Sequence, residues 1–367
     1  MIRQFRFILC LVLLWLAGCS TLPRTGAPTR TETTPRSPIA VEAQSSPTQR
    51  RLMNEAASLQ PLAQSEFTRR FLAATSALPP VAPRTAYLNE LTREYLSPAA
   101  RAALPEARRI KFAEVQLDEY RYYYTKYGSP LAYMRALEFA ADKALQEVAG
   151  KRIFDFGYGS IGHLRLLASL GANVTGVDTD SYLAALYADS ADQGPIAPAI
   201  GAGVSRRARG SVTLVRGSWP GDPKVAAQVG QGYDLILSKN TLKRGYVKPE
   251  RKVEDKRQLI DLGVSDQVFL AAIFNALVPG GKLVIYNIFP KPATAKEKFK
   301  PMADGRSPFS REQYEKAGFK VVAFDTEDNV AVRKMGRLLK WDQNERGETT
   351  DNLDTNLFSL VTVVVRP

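Results

Sequence analysis

Apolar and polar positions fall into short, regular blocks along the C-terminal part of the chain. Ile153, Phe154 and Phe156 make an apolar run that stops at glycines, and Leu164, Leu167 and Leu170 then recur at helical spacing. Gly171 supplies a helix stop, and Val174 and Val177 lead to Asp178. Residues 152–180 are therefore expected to form strand, glycine-rich turn, helix and strand. Further apolar runs predict strands at 211–215, 233–237, 282–288, 319–324 and 357–365. Helices are expected at 181–188, 265–277, 310–317 and 329–341, with a tight turn at Val278-Pro279-Gly280-Gly281. Strands alternating with helices give an α/β fold with an open, mainly parallel sheet over 151–367.

Residues 51–150 are alanine-rich, and their pattern predicts helices at 64–78, 85–95, 106–124 and 130–148. In the last of these, Leu131, Met134, Leu137, Ala141 and Leu145 form a stripe suited to packing on a sheet, so the region is expected to be an N-terminal helical cap. Its segment 118–128 interleaves tyrosines with Arg121 and Lys126. Two arrangements are open: rings stacking on a base at the mouth of the glycine turn, or an amphipathic helix packing its tyrosines into the core.

The first residues follow another pattern. Arg3 and Arg6 precede an apolar run from Phe7 to Leu16, followed by Ala17-Gly18-Cys19-Ser20. A basic region, a short apolar core and small residues describe a secretory leader. About ten apolar residues give a helix of ~15 Å, half of the ~30 Å needed to span a bilayer. Leu16-Ala17-Gly18-Cys19 resembles the lipobox of bacterial lipoproteins. The resemblance implies a signal peptide over 1–18 and a lipid (palmitate among its chains) on Cys19. With Ser20 next, it also implies sorting to the outer membrane, facing the periplasm of the bacterial cell envelope. Residues 19–50, rich in Thr, Pro, Ser and Arg, are expected to be a disordered tether.

Composition narrows the chemistry. The 367 residues are 45% hydrophobic, enough for a sizeable core, and the formal charge of +13 suits anionic partners without specifying one. Cys10 and Cys19 are the only cysteines and both lie in or beside the leader, so the body of the protein has no cysteine metal site or disulfide framework. His163 is the only histidine, which excludes mechanisms needing two. No metal is expected.

In an open parallel sheet, ligands bind beyond the carboxyl ends of the strands. Asp155, the turn Gly157-Tyr158-Gly159-Ser160-Ile161-Gly162, Asp178, Ser218-Trp219 and Ser238-Lys239-Asn240 are all expected at that edge. The glycine pattern alone also fits a dinucleotide fold. Asp155 tilts the balance, because a carboxylate beside the turn is unfavourable for a pyrophosphate but suits a ligand carrying an ammonium and a sulfonium. Together with Asn275-Ala276-Leu277-Val278-Pro279-Gly280-Gly281-Lys282-Leu283, these residues resemble class I S-adenosylmethionine-dependent methyltransferases. The resemblance implies a Rossmann-like, seven-stranded, mostly parallel sheet with an antiparallel last strand, and S-adenosylmethionine as cofactor. Carried over, Asp155, Gly157, Gly159 and Gly162 would cradle the methionine portion, Asp178 would take the ribose hydroxyls, and Ser218, Trp219 and Ser238 would complete the pocket.

Methyl transfer needs alignment more than acid–base chemistry, so no catalytic residue is assigned. Lys239 or Asn240 could position an acceptor, or Asn240 could satisfy a turn. His163 lies at the start of the helix after the glycines, either near the cofactor or exposed. Lys239, Lys243, Arg244, Lys248, Arg251 and Lys252 form a cationic stretch diluted by Glu250, Glu254 and Asp255. The expected partners are the membrane, through the lipid, and a small-molecule or envelope acceptor; export argues against nucleic acid. Two functions remain open at this stage: a membrane-tethered methyltransferase, and a non-catalytic binding lipoprotein retaining the fold.

Overall fold

The computed structural model describes residues 45–367, which pack as one unit; the leader, Cys19 and most of the tether lie outside the described residues. Ser46 and Gln49 form a reciprocal capping box for the first helix, Pro47–Leu59. A second helix, Glu66–Ala73, packs beside it. Then comes a small antiparallel sheet that the sequence reading had placed in helices. It consists of β1 (Arg84–Asn89), β2 (Glu94–Leu96) and β3 (Ala113–Leu117), in the order β2-β1-β3. In β3 the period is two, with Val115 and Leu117 turned inward between exposed Glu114 and Gln116. Pairing of Arg84–Leu88 with Ala113–Leu117 overrides the local helical preference.

The expected helix over 130–148 is also shorter. A single tight turn, Pro130–Tyr133, leads into Met134–Ala140. Asp142 then stops it: its Oδ1 accepts the backbone N–H groups of Ala144 and Leu145, and its Oδ2 pairs with Lys282 at 2.6 Å.

The main sheet contains β4 (Arg152–Phe156), β5 (Asn173–Asp178), β6 (Gly194–Ile196), β7 (Gly210–Arg216), β8 (Tyr233–Lys239), β9 (Leu277–Pro290), β10 (Lys320–Glu327) and β11 (Leu357–Val365). Their order is β10-β11-β9-β8-β4-β5-β7-β6. β11 runs antiparallel to both neighbours, and β4, β5, β7, β8 and β9 are mutually parallel. This is a Rossmann-like α/β architecture with a mostly parallel sheet, of eight strands rather than the expected seven. The extra strand is β6, an antiparallel edge strand in which Pro195 sits opposite Ser211; an edge tolerates a residue with no N–H to donate. The Val278–Gly281 segment is no free turn but an irregularity inside β9. There the register with β8 jumps from Tyr233↔Leu277 to Leu235↔Lys282, and Gly280 takes φ +78°. A further helix, Pro223–Val229, carries Asp222 as N-cap and proline at its start.

Strand parity sorts the core. Ile153, Leu235, Leu237, Val284 and Tyr286 face the cap and the helix Gly162–Ser169. Phe154, Phe156, Ile236, Leu283 and Ile285 face the helix Asp266–Ala276 on the other side. The cap is joined to the sheet by two charged clusters. Arg135 makes a bidentate pair with Asp328 at 2.8–2.9 Å, and Tyr286 donates to the same carboxylate at 2.7 Å. Arg84 makes a bidentate pair with the buried Asp192, which also accepts Tyr122 Oη at 2.7 Å.

Candidate functional site

The order of parallel strands reverses between β4 and β8, and this crevice is where a sheet of this kind receives a ligand. The turn after β4 lies there. Gly157 and Gly159 take φ +77° and +60°, in the left-handed region that costs other residues most. Gly159 N–H points to Asp178 Oδ2 at 3.4 Å, and the other oxygen of Asp178 accepts Asp180 N–H at 2.9 Å. Burial, aided by the nearby Asp180 carboxylate, raises the Asp178 pKa to about 6. Asp180 is held low despite its burial, because Lys126 at 2.5 Å and Tyr127 Oη at 2.7 Å bind its carboxylate.

Asp155 is placed differently. Parity turns it, with Ile153, toward the cap, where it is fully buried. Its Oδ2 meets His163 Nε2 at 2.6 Å, while Oδ1 has no partner. His163 is also fully buried rather than exposed, and its ring stacks on Tyr133 with centroids 3.5 Å apart and planes 8° apart. Burial lowers the His163 pKa against the pull of the Asp155 hydrogen bond, and Nδ1 has no hydrogen-bond partner. Lys239, on the same face of β8, lies over Tyr133 with Nζ 5.2 Å from the ring centre. Its pKa falls to about 8 through burial, opposed by Asp155. A carboxylate, an imidazole, a phenol and an amine thus converge beneath the turn.

The turn is closely covered by the chain itself. A Cβ on Gly157 would collide with the Thr241 side chain, whose hydroxyl donates to Gly157 O at 3.2 Å. Over Gly159 lies the Tyr127 ring, 3.2 Å from where a Cβ would stand. Pro130 presses on Gly162, its Cβ 2.8 Å from the corresponding position. The tyrosine-rich segment therefore divides. Tyr122, Tyr123 and Tyr124 are core residues, while Tyr127 lies at the glycine turn.

The remaining sequence candidates are spread around the edge. Ser218 is exposed, and its carbonyl accepts Asp222 N–H at 2.9 Å. The Trp219 ring packs edge-on against Phe154, Phe156 and Phe269. Ser238 is buried and its hydroxyl accepts Leu242 N–H at 3.1 Å. Asn240 takes φ +63° and its Oδ1 accepts Ile288 N–H at 2.7 Å, so it serves the turn. Lys243 is buried, donates to Ile288 O, and has its pKa lowered to about 7 by burial. Sequence reading did not single out Thr241 or Tyr133 as site residues, and offered Tyr127 only as one tyrosine of the segment 118–128. Parity could have aligned Lys239 with Asp155, but the contribution of Tyr133 required the cap's position. Among the described residues no cluster of acidic, histidine or cysteine side chains is arranged to hold a metal ion. None of their helices is long and apolar enough to cross a membrane.

No family model matches the chain. No curated protein matches it either. Solved structures do show similarity. A protein from Galdieria sulphuraria assigned as a sarcosine dimethylglycine methyltransferase is 13% identical with a TM-score of 0.39, over 64% of this chain and 86% of that one. An S-adenosylmethionine-dependent methyltransferase from Mesorhizobium loti is 18% identical with a TM-score of 0.34, over 64% and 98%. The cyclase SpnF is 15% identical with a TM-score of 0.33, over 60% and 75%.

Proposed function

We propose that this chain binds S-adenosylmethionine at the carboxyl ends of β4 and β5, beside the crevice between β4 and β8, and transfers its methyl group to a small molecule or an envelope component. The observation that carries the reading is the pairing of the glycine turn after β4 with Asp178 at the end of β5, next to the crevice where the strand order reverses. Gly157 and Gly159 fit a ligand held close to backbone, and Asp178 fits a pair of ribose hydroxyls as donors. S-adenosylmethionine supplies a methyl group already activated on its sulfonium, so the protein's contribution is chiefly alignment. In this reading Asp178 orients the ribose, the glycine turn admits the methionine portion, and Tyr127 closes over it. Calorimetry of the purified chain with S-adenosylmethionine is expected to give saturable binding; none at millimolar ligand would sink the proposal.

The domain is proposed to act at the bacterial envelope, tethered through a lipid on Cys19 to the periplasmic side of the outer membrane. Labelling with a fatty-acid analogue should be lost in Cys19→Ser, and labelling that persists would refute that anchor.

One observation favours a second reading, a non-catalytic binding lipoprotein. Asp155 Oδ2 is already paired with His163 Nε2 at 2.6 Å, and Thr241 already donates to Gly157 O. A site filled in this way can retain ligand recognition without turnover. Cofactor binding with no methyl transfer to any envelope fraction would decide for it.

A further inference from the structure

The cap carries a concave site that the cofactor reading does not use. A pocket of about 310 Å³, at the small end of the range for ligand sites, is lined by Arg93, Tyr95, Arg121, Thr125, Lys126 and Tyr182. Three parts of the chain meet there: the turn between β1 and β2 with the start of β2, the tyrosine-rich segment 118–128, and the helix Ser181–Leu186. Tyr95 N–H donates to Ser181 Oγ at 3.1 Å and ties the first part to the third. The Tyr95 and Tyr182 rings meet edge to face, with centroids 5.0 Å apart, and make an aromatic wall. Thr125 takes φ +53°, a conformation that a β-branched residue holds only where its surroundings impose it. Its hydroxyl donates to Gly159 O at 3.1 Å, which fixes that side of the pocket. None of the motif glycines, and neither Asp155 nor Asp178, lines it.

The charges at this pocket are unbalanced. Among the described residues three cations line it and no carboxylate does. Lys126 is already paired: its ammonium meets Asp180 at 2.5 Å and lies 5.6 Å from the centre of the Tyr182 ring. The guanidinium groups of Arg93 and Arg121 have no ion pair and no hydrogen-bond acceptor among the described residues, and both side chains are exposed. Arg121 stands close enough to Tyr182 to act on its phenol, which burial pushes up to about 12 against the pull of that cation. The two carboxylates whose charge also reaches the phenol are engaged. Asp118 Oδ1 accepts Arg121 N–H at 2.8 Å, and Asp180 is held by Lys126 and Tyr127. Two guanidinium forks offer more N–H donors than the two oxygens of a carboxylate can receive. A phosphate monoester, with three terminal oxygens and up to two charges, matches them.

We propose that this pocket binds a phosphate monoester, its head held between Arg93 and Arg121 beside the Tyr95–Tyr182 wall. A soluble ester and the head group of a lipid share this chemistry.

Calorimetry of the full chain at fixed ionic strength tests the site with two probes, glycerol phosphate and the short-chain lipid dihexanoyl phosphatidic acid below its micelle concentration. Wild type should give saturable binding. Binding of glycerol phosphate upholds the site with a soluble ester, and binding of the lipid alone upholds it with a lipid head group. Arg93→Gln and Arg121→Gln should each weaken binding about tenfold, the effect of one charge-assisted hydrogen bond. Their melting temperatures should not change, because neither side chain has a partner to lose. Arg108→Gln removes an exposed cation of the same cap outside the pocket and should bind like wild type. No binding of either probe, or an equal loss in Arg108→Gln, overturns the site. Acetate bound as tightly as the esters overturns the assignment to phosphate. S-adenosylmethionine should bind Arg93→Gln as it binds wild type, and absence of that signal in both bears on the glycine turn alone.

Discussion

Replacing Asp178 by asparagine is expected to weaken S-adenosylmethionine binding about 10- to 100-fold, the effect of losing one charge-assisted hydrogen bond. The same substitution should make the unliganded chain more stable at pH 8. Burial raises this carboxyl from 3.8 to about 6 in the folded state. Its stabilising contribution is therefore complete below pH 3.8 and is lost as pH rises through about 6. Asparagine avoids that charged-state cost, worth roughly 3 kcal/mol at ~1.4 kcal/mol per pKa unit. It also gives up one of two acceptors for backbone N–H groups, which leaves a net gain of about 1–2 kcal/mol. A ribose needs the carboxylate form, so the wild-type dissociation constant should rise about tenfold per pH unit below 6. In the asparagine variant that slope should vanish. Calorimetry and urea unfolding across pH 5–8 measure both effects. Unchanged affinity in the variant would place the ribose elsewhere.

The largest expected loss of stability comes from Asp192→Ala. The Asp192 side chain is 1% exposed and binds the Arg84 guanidinium and Tyr122 Oη, with Arg165 Nη1 4.0 Å away. Truncation leaves two partly buried guanidinium groups without their counter-charge, at a cost of about 3–5 kcal/mol. For a folded unit of this size the melting temperature should fall by roughly 4–7 °C. Replacing Arg84 by methionine in the same chain should recover part of the loss, because it removes one uncompensated charge. A fall below about 1 kcal/mol would mean that the cluster does not join cap to sheet as its geometry indicates.

The strands of the main sheet could be read from sequence because parallel strands are covered on both faces and appear as uninterrupted apolar runs. The expected strand 282–288, for example, falls inside β9, which is parallel to β8. β6 was missed because three residues containing a proline carry too little pattern to stand out. The cap strands were missed for another reason. Their stability comes from cross-strand partners far along the chain, while alanine, glutamate and arginine favour helix locally. At the site, glycine spacing and Asp178 were legible because they belong to one local unit. The orientation of Asp155 was not. Its side of the sheet follows from parity, but only the cap, through Tyr133, makes that side an interior.

Five contacts show how far that dependence reaches. Thr125 donates to Gly159 O at 3.1 Å, Tyr133 to Tyr158 O at 3.3 Å, and Pro130 packs on Gly162. Tyr187 Oη accepts Ile161 N–H at 3.1 Å and donates a hydrogen bond to Tyr122 O at 2.7 Å. The glycine loop is therefore moulded from outside, by Thr125, Pro130 and Tyr133 that precede it in the chain and by Tyr187, which Tyr122 in turn holds. A polypeptide started at residue 151 would retain every glycine of the motif and lose the Thr125, Pro130 and Tyr133 side of the mould, along with the Tyr122 carbonyl that holds Tyr187.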